Sequence, residues 1–266
     1  MILVRSAIFQ VVSYTTFIVM MLLGVPCLVL PRRATMRLVR SWAWISVKLL
    51  ALICGTKVEF RHLERLPRGA ALLAVKHQSF LETFALITVL DDFSFILKKE
   101  LTAIPFFGWY AKRAGQIAVD RSRRGATIAG LQRNVRAALA AGRQVVIFPE
   151  GTRKPVGAPP DYKAGVAALV GASGMACIPV ALNSGVFWPR RGFLRRPGTI
   201  VFEFLPPIAP MADKRAFLAA LEGAIEPATD ALVAEALAAD ASLRKVVPQP
   251  AAPRCADKAG KSPAIV

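Results

Sequence analysis

His77 and Glu82 are the residues of this chain best suited to chemistry, and they lie in the run Lys76-His77-Gln78-Ser79-Phe80-Leu81-Glu82. An imidazole titrates near neutral pH, so it can take a proton from a weak acid and return it within one cycle. A carboxylate on the far ring nitrogen fixes the tautomer and supports the imidazolium. If a helix begins after His77, the five-residue step carries Glu82 back beside the ring. Two plainer readings fit the same residues. A His-x4-acid spacing arises by chance in a chain of this size, and Ser79-x-x-Glu82 has the spacing of a capping box, which gives Glu82 a structural task. The only other histidine, His62, sits in the charged connector Phe60-Arg61-His62-Leu63-Glu64-Arg65-Leu66-Pro67 and reads as a surface residue.

The second constellation is Val145-Val146-Ile147-Phe148-Pro149-Glu150-Gly151-Thr152-Arg153. An apolar run ends at Pro149, Gly151 allows a ligand close to the backbone, Thr152 offers a hydroxyl and Arg153 a planar fork suited to phosphate. Lys154 and Lys163 follow nearby. An ordinary polar turn with a solvated arginine accounts for the residues equally well. A metal centre is not expected. Two histidines and four cysteines (Cys27, Cys54, Cys177, Cys255) without a Cys-x-x-Cys pair leave too few ligands for zinc. The cysteines read as small buried hydrophobes in a reducing compartment.

The elements that position these residues follow from hydrophobic patterning. Short apolar runs at 71–75, 93–97, 116–119, 145–148, 177–182 and 199–204 read as strands. Between them, Ile128, Leu131, Val135 and Leu139 recur at helical spacing and Gly142 closes the segment. A helix is expected from Asp213 to Pro227 and another stretch to Leu243. Strands alternating with helices predict an α/β fold with a mixed, largely parallel sheet flanked by helices. The strands are nearly all apolar because such a sheet is buried on both faces.

The beginning of the chain is different. Between Arg5 and Arg32 there is no charge, and residues 7–30 exceed the ~20 apolar residues that cross a bilayer as a helix. A cleavable signal is a poorer fit, because the run is long and Pro31-Arg32-Arg33 follows it. Arg32, Arg33, Arg37, Arg40 and Lys48 would hold the remainder on the cytoplasmic side of an inner membrane. A second apolar stretch, 41–56, begins with Trp42 and Trp44. Together these predict an N-terminal membrane-associated two-helix segment over 1–54, an α/β domain over 55–243 and a disordered basic tail over 244–266.

In their order, the motifs resemble those of the glycerolipid acyltransferase family. His77-x4-Glu82 looks like its His-x4-Asp motif. Lys98-Lys99-Glu100-Leu101 with Pro105 and Gly108 resembles its Lys-x-Glu-Leu…Pro…Gly block, and Asp120-Arg121 its Asp-Arg pair. Phe148 to Arg153 resembles its Phe-Pro-Glu-Gly-Thr-Arg block, and Ile178-Pro179-Val180-Ala181 its last apolar one. The resemblance covers about residues 55–207. It implies His77 as general base and Glu82 as its orienting acid, with Glu150, Gly151, Thr152 and Arg153 at the acceptor phosphate, helped by Lys98 and Arg121. Glu82 departs from the family's usual Asp by one methylene.

The implied reaction moves a fatty acyl group from an acyl thioester, acyl-CoA or acyl carrier protein, to the free hydroxyl of a lysophospholipid such as lysophosphatidic acid. The thioester is a co-substrate and no cofactor is required. A lyso-aminolipid acceptor, or a non-catalytic role in binding anionic lipid, are the alternatives. A formal net charge of +18 fits an anionic membrane surface or a phosphorylated ligand. Nucleic acid is a poor partner, since the α/β portion lacks a basic face with interleaved aromatics.

Overall fold

The computed structural model describes residues 1–120, 124–245 and 247, with residues 124–127 described by backbone alone. Helix α1 (Ile2–Leu23) leads through a turn at Val25–Leu28 into α2 (Arg32–Leu49), which ends in a wide turn, Leu50–Cys54. There follow β1 (Thr56–Arg61), β2 (Ala71–Val75), α3 (Glu82–Ala85), β3 (Phe93–Lys98), α4 (Phe107–Arg113), β4 (Ile117–Val119) and α5 (Arg124–Ala140). The rest is β5 (Gln144–Ile147), α6 (Ala164–Ser173), β6 (Cys177–Leu182), α7 (Ser184–Phe187), β7 (Gly198–Phe204) and α8 (Lys214–Ala239).

The seven strands form one sheet in the order β1-β7-β6-β2-β5-β3-β4. Strands β6, β2, β5, β3 and β4 are parallel, while β7 runs antiparallel to β6 and β1 parallel to β7. This is the mixed, largely parallel sheet that the alternating pattern predicts.

Strands β2, β5 and β6 are buried along their whole length. Alternation sends Leu72, Ala74 and Val145 to one face, against Val135, Leu169, Phe217 and Leu221 of α5, α6 and α8. Leu73, Val75 and Val146 point to the other, into a cluster with Phe9 of α1, Met36 and Ala43 of α2, and Phe84 of α3. Each fully buried leucine or phenylalanine contributes about 1.5–3 kcal/mol. The N-terminal helices are thus one wall of the core.

Two helices form over the first 54 residues, but only α1 is long and apolar enough to cross a membrane. The second apolar stretch does not stand as a helix of its own. It is the C-terminal half of α2 plus the wide turn, and α2 also carries Arg32, Arg33, Arg37 and Arg40. Arg32 forks onto Asp92 at 2.6 and 2.7 Å and donates to the Ala114 carbonyl, fastening α2 to the sheet.

Three local expectations change. Strand β1 is not among the six expected strands and overlaps the charged connector only at Phe60 and Arg61; Thr56, Val58 and Phe60 alternate with Lys57, Glu59 and Arg61 because β1 is an edge strand with one wet face. Helix α8 continues through Pro227, with Phe217, Leu221 and Ile225 before it and Leu232, Val233 and Ala236 after it buried against the sheet. Packing on both sides outweighs the hydrogen bond that the proline removes. Arg244 and Lys245 of the expected tail close a turn, Ala241–Lys245, and apart from Val247 the rest of that tail lies outside the described residues.

Candidate active site

Four of the five blocks singled out in the sequence lie at the C-terminal end of a parallel strand, and the fifth, Ile178 to Ala181, lies within β6. His77 follows β2, Glu150 to Arg153 follow β5, Lys98 ends β3, and Asp120 follows β4. These strands are consecutive in the sheet, so the loops meet along one edge, the edge at which open α/β sheets bind ligands. Arg121 lies outside the described residues.

The Nδ1 of His77 is 3.1 Å from Oε2 of Glu82. Glu82 is fully buried, and its carboxylate also accepts from the Ser79 amide at 2.9 and 3.0 Å and from the Ser184 hydroxyl. The capping-box reading and the orienting-acid reading therefore describe one carboxylate: it reaches back to the Ser79 N–H and holds the imidazole as well. The extra methylene of glutamate is taken up here, since Glu82 starts α3 and folds back over the turn 77–81. Ser184, which opens α7 just after β6, had no signal in the sequence. Phe148 stacks on the His77 ring, centroids 3.9 Å apart and planes 17° apart, which fixes the ring plane. The His77 side chain is 12% exposed, and among the described residues its Nε2 makes no hydrogen bond.

The two loops are sewn together through the backbone of His77. Its N–H donates to Oε2 of Glu150 at 3.1 Å, and its carbonyl accepts from the Lys154 amide at 2.8 Å. Residues 150 and 154 thereby grip the two peptide groups on either side of the His77 Cα, with Thr152 and Arg153 between them. Gly151 takes φ +64°, a turn for which glycine is suited. Thr152 is exposed and Arg153 half-buried, and the Arg153 guanidinium has no side-chain partner among the described residues.

Glu150 has a different setting from its neighbours. It is fully buried and pairs with Lys76 Nζ at 2.9 Å. Lys76 in turn contacts both oxygens of Glu226 in α8 at 2.7 and 2.9 Å, and Tyr162 donates to Glu226 at 2.6 Å. Burial pushes the Glu150 carboxyl above the ordinary range, a shift that Lys76 and the His77 amide partly offset. Burial and the neighbouring Glu226 raise the Asp230 carboxyl as well. A buried carboxylate held on a lysine is not a phosphate ligand, so the geometry makes Glu150 a support for the His77 backbone. Lys98 stands exposed at the end of β3, and its neighbour Lys99 pairs with Asp120 at 3.2 Å. Lys76 and Glu226 could not be linked from the sequence, where 150 residues separate them.

On the Glu82 side lies an aromatic wall. Phe84 packs on Trp42 and Trp188, and Trp188 meets Phe9 and Phe80 at centroid distances of 5.6–6.4 Å. Phe80 remains exposed at its edge.

Comparisons with known proteins bear on the family and the fold. A family profile described as Acyltransferase matches residues 57–183. A protein of Pseudomonas aeruginosa called 1-acyl-sn-glycerol-3-phosphate acyltransferase is 38% identical over 173 residues, 65% of this chain and 67% of that one. A chloroplast protein of Arabidopsis thaliana with the same name is 30% identical over 175 residues, 64% of this chain and 48% of its own length. The chain thus spans two thirds of the bacterial relative and about half of the plant one. Among solved structures, the 1-acyl-sn-glycerophosphate acyltransferase of Thermotoga maritima shares the fold, with a TM-score of 0.71 at 17% identity over 87% of this chain and 99% of that one.

Proposed function

The chain belongs to the acyltransferase family, and from that premise we propose that it transfers a fatty acyl group to the sn-2 hydroxyl of 1-acyl-glycerol 3-phosphate, giving phosphatidic acid. The donor is an acyl thioester of coenzyme A or acyl carrier protein. The observation that carries the reading is the His77–Glu82 pair, one ring nitrogen held by a buried carboxylate and the other without a partner among the described residues, beside a loop that presents Arg153.

The steps follow from those atoms. Thr152, Arg153 and Lys98 hold the acceptor phosphate and set its hydroxyl near Nε2 of His77. Nε2 takes the hydroxyl proton as the oxygen attacks the thioester carbonyl carbon. Glu82 stabilises the imidazolium that forms, and the stacked Phe148 ring favours the same charge from its face. Collapse of the tetrahedral intermediate breaks the C–S bond, and the thiolate receives the proton from Nε2. The aromatic wall from Phe80 to Trp188 suits the acyl chain. Helix α1, docked along the α/β domain from Ser6 to Met21, holds the enzyme in the inner membrane by its exposed apolar face, and the cations of α2 favour the cytoplasmic leaflet.

The test is acyl transfer from a labelled acyl thioester to lysophosphatidic acid by purified wild type and His77→Ala. Wild type forms phosphatidic acid, and the folded variant loses about 10²–10⁴-fold in rate. Equal rates would remove His77 as the base. Product with a lyso-aminolipid but not with lysophosphatidic acid would move the acceptor.

A further inference from the structure

The block Lys98-Lys99-Glu100-Leu101…Pro105…Gly108 takes part in the site only through Lys98. What the rest of it builds is unusual. Phe106 stands at φ +59°, ψ −59°, and the Phe107 amide donates to the Pro105 carbonyl at 2.6 Å. This is a γ-turn of the rare, strained hand, in a bulky residue that ordinarily avoids positive φ. Directly after it, a Cβ on Gly108 would collide with the Thr102 carbonyl, so only glycine lets the chain close over itself. Such a turn persists because its surroundings over-determine it, and strain of this kind gathers where a segment must present something.

What it presents is apolar. Leu101, Ile104 and Trp109 all stand exposed, Trp109 at 51%, and the Phe106 ring props the indole with centroids 5.0 Å apart. The segment is anchored to the C-terminal end of α1. The Tyr110 hydroxyl donates to the Met21 carbonyl at 2.7 Å, and Arg113 donates to the Leu30 carbonyl. Trp109 and Arg113 are one helical turn apart and share a face of α4, so the indole lies beside the turn that joins α1 to α2. The chain on either side of that turn is apolar and exposed, with Leu23 at 76% and Val29 at 86%. Lysines 98, 99 and 112 and Arg113 flank the patch, against Glu100 and Asp120.

We propose that the strained segment 101–109 is a second membrane contact, seated at headgroup depth on an anionic leaflet beside the end of α1. Tryptophan next to lysine and arginine is the composition of that layer. An apolar patch continuous with the end of a bilayer helix and ringed by cations matches lipid better than a protein partner. The proposal rests on α1 entering the bilayer, and the experiment separates the two.

The full-length protein is bound to phosphatidylcholine–phosphatidylglycerol vesicles with brominated acyl chains, which quench tryptophan by contact. Wild type is compared with Trp109→Phe, and Tyr14→Trp reports α1, where Tyr14 is exposed. The difference between wild type and Trp109→Phe isolates one of four indoles, about a quarter of the emission. The expected result is that this share is quenched and blue-shifted, more so with phosphatidylglycerol than without it, and that Tyr14→Trp adds a quenched indole too. A quenched indole at position 14 with an unquenched Trp109 would overturn the second contact and leave the helix in the membrane. Neither quenched would overturn both. Trp109 shielded from aqueous iodide yet untouched by brominated lipid would assign the patch to a second copy of the chain instead, and the proposal would fail.

Discussion

Glu82 carries more interactions than a helix cap or a catalytic orienter needs separately, and that sets a sharp test of the site. Its two oxygens serve the Ser79 amide, the Ser184 hydroxyl and His77 Nδ1 together. Glu82→Asp restores the residue usual in the family but withdraws the carboxylate by about one bond length, enough to open a 3.1 Å hydrogen bond. Losing a bond to a charged group costs about 1.5–3 kcal/mol. We expect kcat to fall about tenfold or more with KM little changed, read from steady-state kinetics on the acyl thioester. An unchanged kcat would show that the ring is held by other means. Lys76 sets a stability test. It is buried between Glu150 and Glu226, so Lys76→Met leaves those carboxylates without their cation. Removing one partner of a buried pair costs about 3–5 kcal/mol. A drop of that size in unfolding free energy is expected from denaturant titration, and a drop under 1 kcal/mol would mean that the network carries little weight. His77 and Glu82 were legible as a pair because they lie five residues apart. Ser184, Phe148 and Lys76 were not legible as parts of the same site, since only the sheet order brings their loops together.

Among the elements, α2 is the one whose attachment depends on charge. Burial pushes the Asp92 carboxyl up, but the Arg32 fork, with Arg143 and Arg40 nearby, outweighs it and holds the group below the ordinary carboxylate range. A depressed carboxylate contributes stability that is present above its unfolded pKa of about 3.9 and lost as pH falls through the lower folded value. The clamp is therefore intact at neutral pH and weakens below about pH 4. In Asp92→Asn the melting temperature should be lower at pH 7 and should fall less on acidification than in wild type; parallel curves for the two proteins would remove the clamp from the account. Because the pair is half-exposed, its contribution is about 1 kcal/mol at most. The elements also mark where patterning succeeds. Six strands could be placed because buried parallel strands are continuous apolar runs, and β1 was missed because an edge strand alternates with charge. Pro227 read as a helix end because local propensity says so, while Leu232 and Val233 on the sheet decide otherwise.

At the scale of the whole molecule, a charge of +18 and an exposed apolar helix would make two contributions to the proposed membrane binding, and the two respond differently to salt. The Debye length shrinks from about 8 Å at physiological salt to about 3 Å at 1 M, so the electrostatic part fades while apolar burial does not. Flotation with phosphatidylglycerol vesicles should lose much of its on-rate in high salt yet retain bound protein; complete release would mean that α1 does not insert. The overall α/β class could be read from alternating strands and helices, but the way α1 closes the core could not. Its Ser6 hydroxyl accepts from the Arg195 amide at 2.9 Å, Gln10 accepts from the Arg195 guanidinium at 2.7 Å, and Phe9 packs on Trp188. On the ribosome, the first helix appears nearly two hundred residues before the strand–loop region that completes its seat. Until then the part of that face bearing Ser6 and Gln10, and the side of Phe9 that meets Trp188, have only lipid, or a chaperone, to cover them. If α1 enters the bilayer as proposed, its delivery would precede folding of the catalytic layer, and synthesis in the absence of membranes should divert the nascent chain toward aggregation before Arg195 is made.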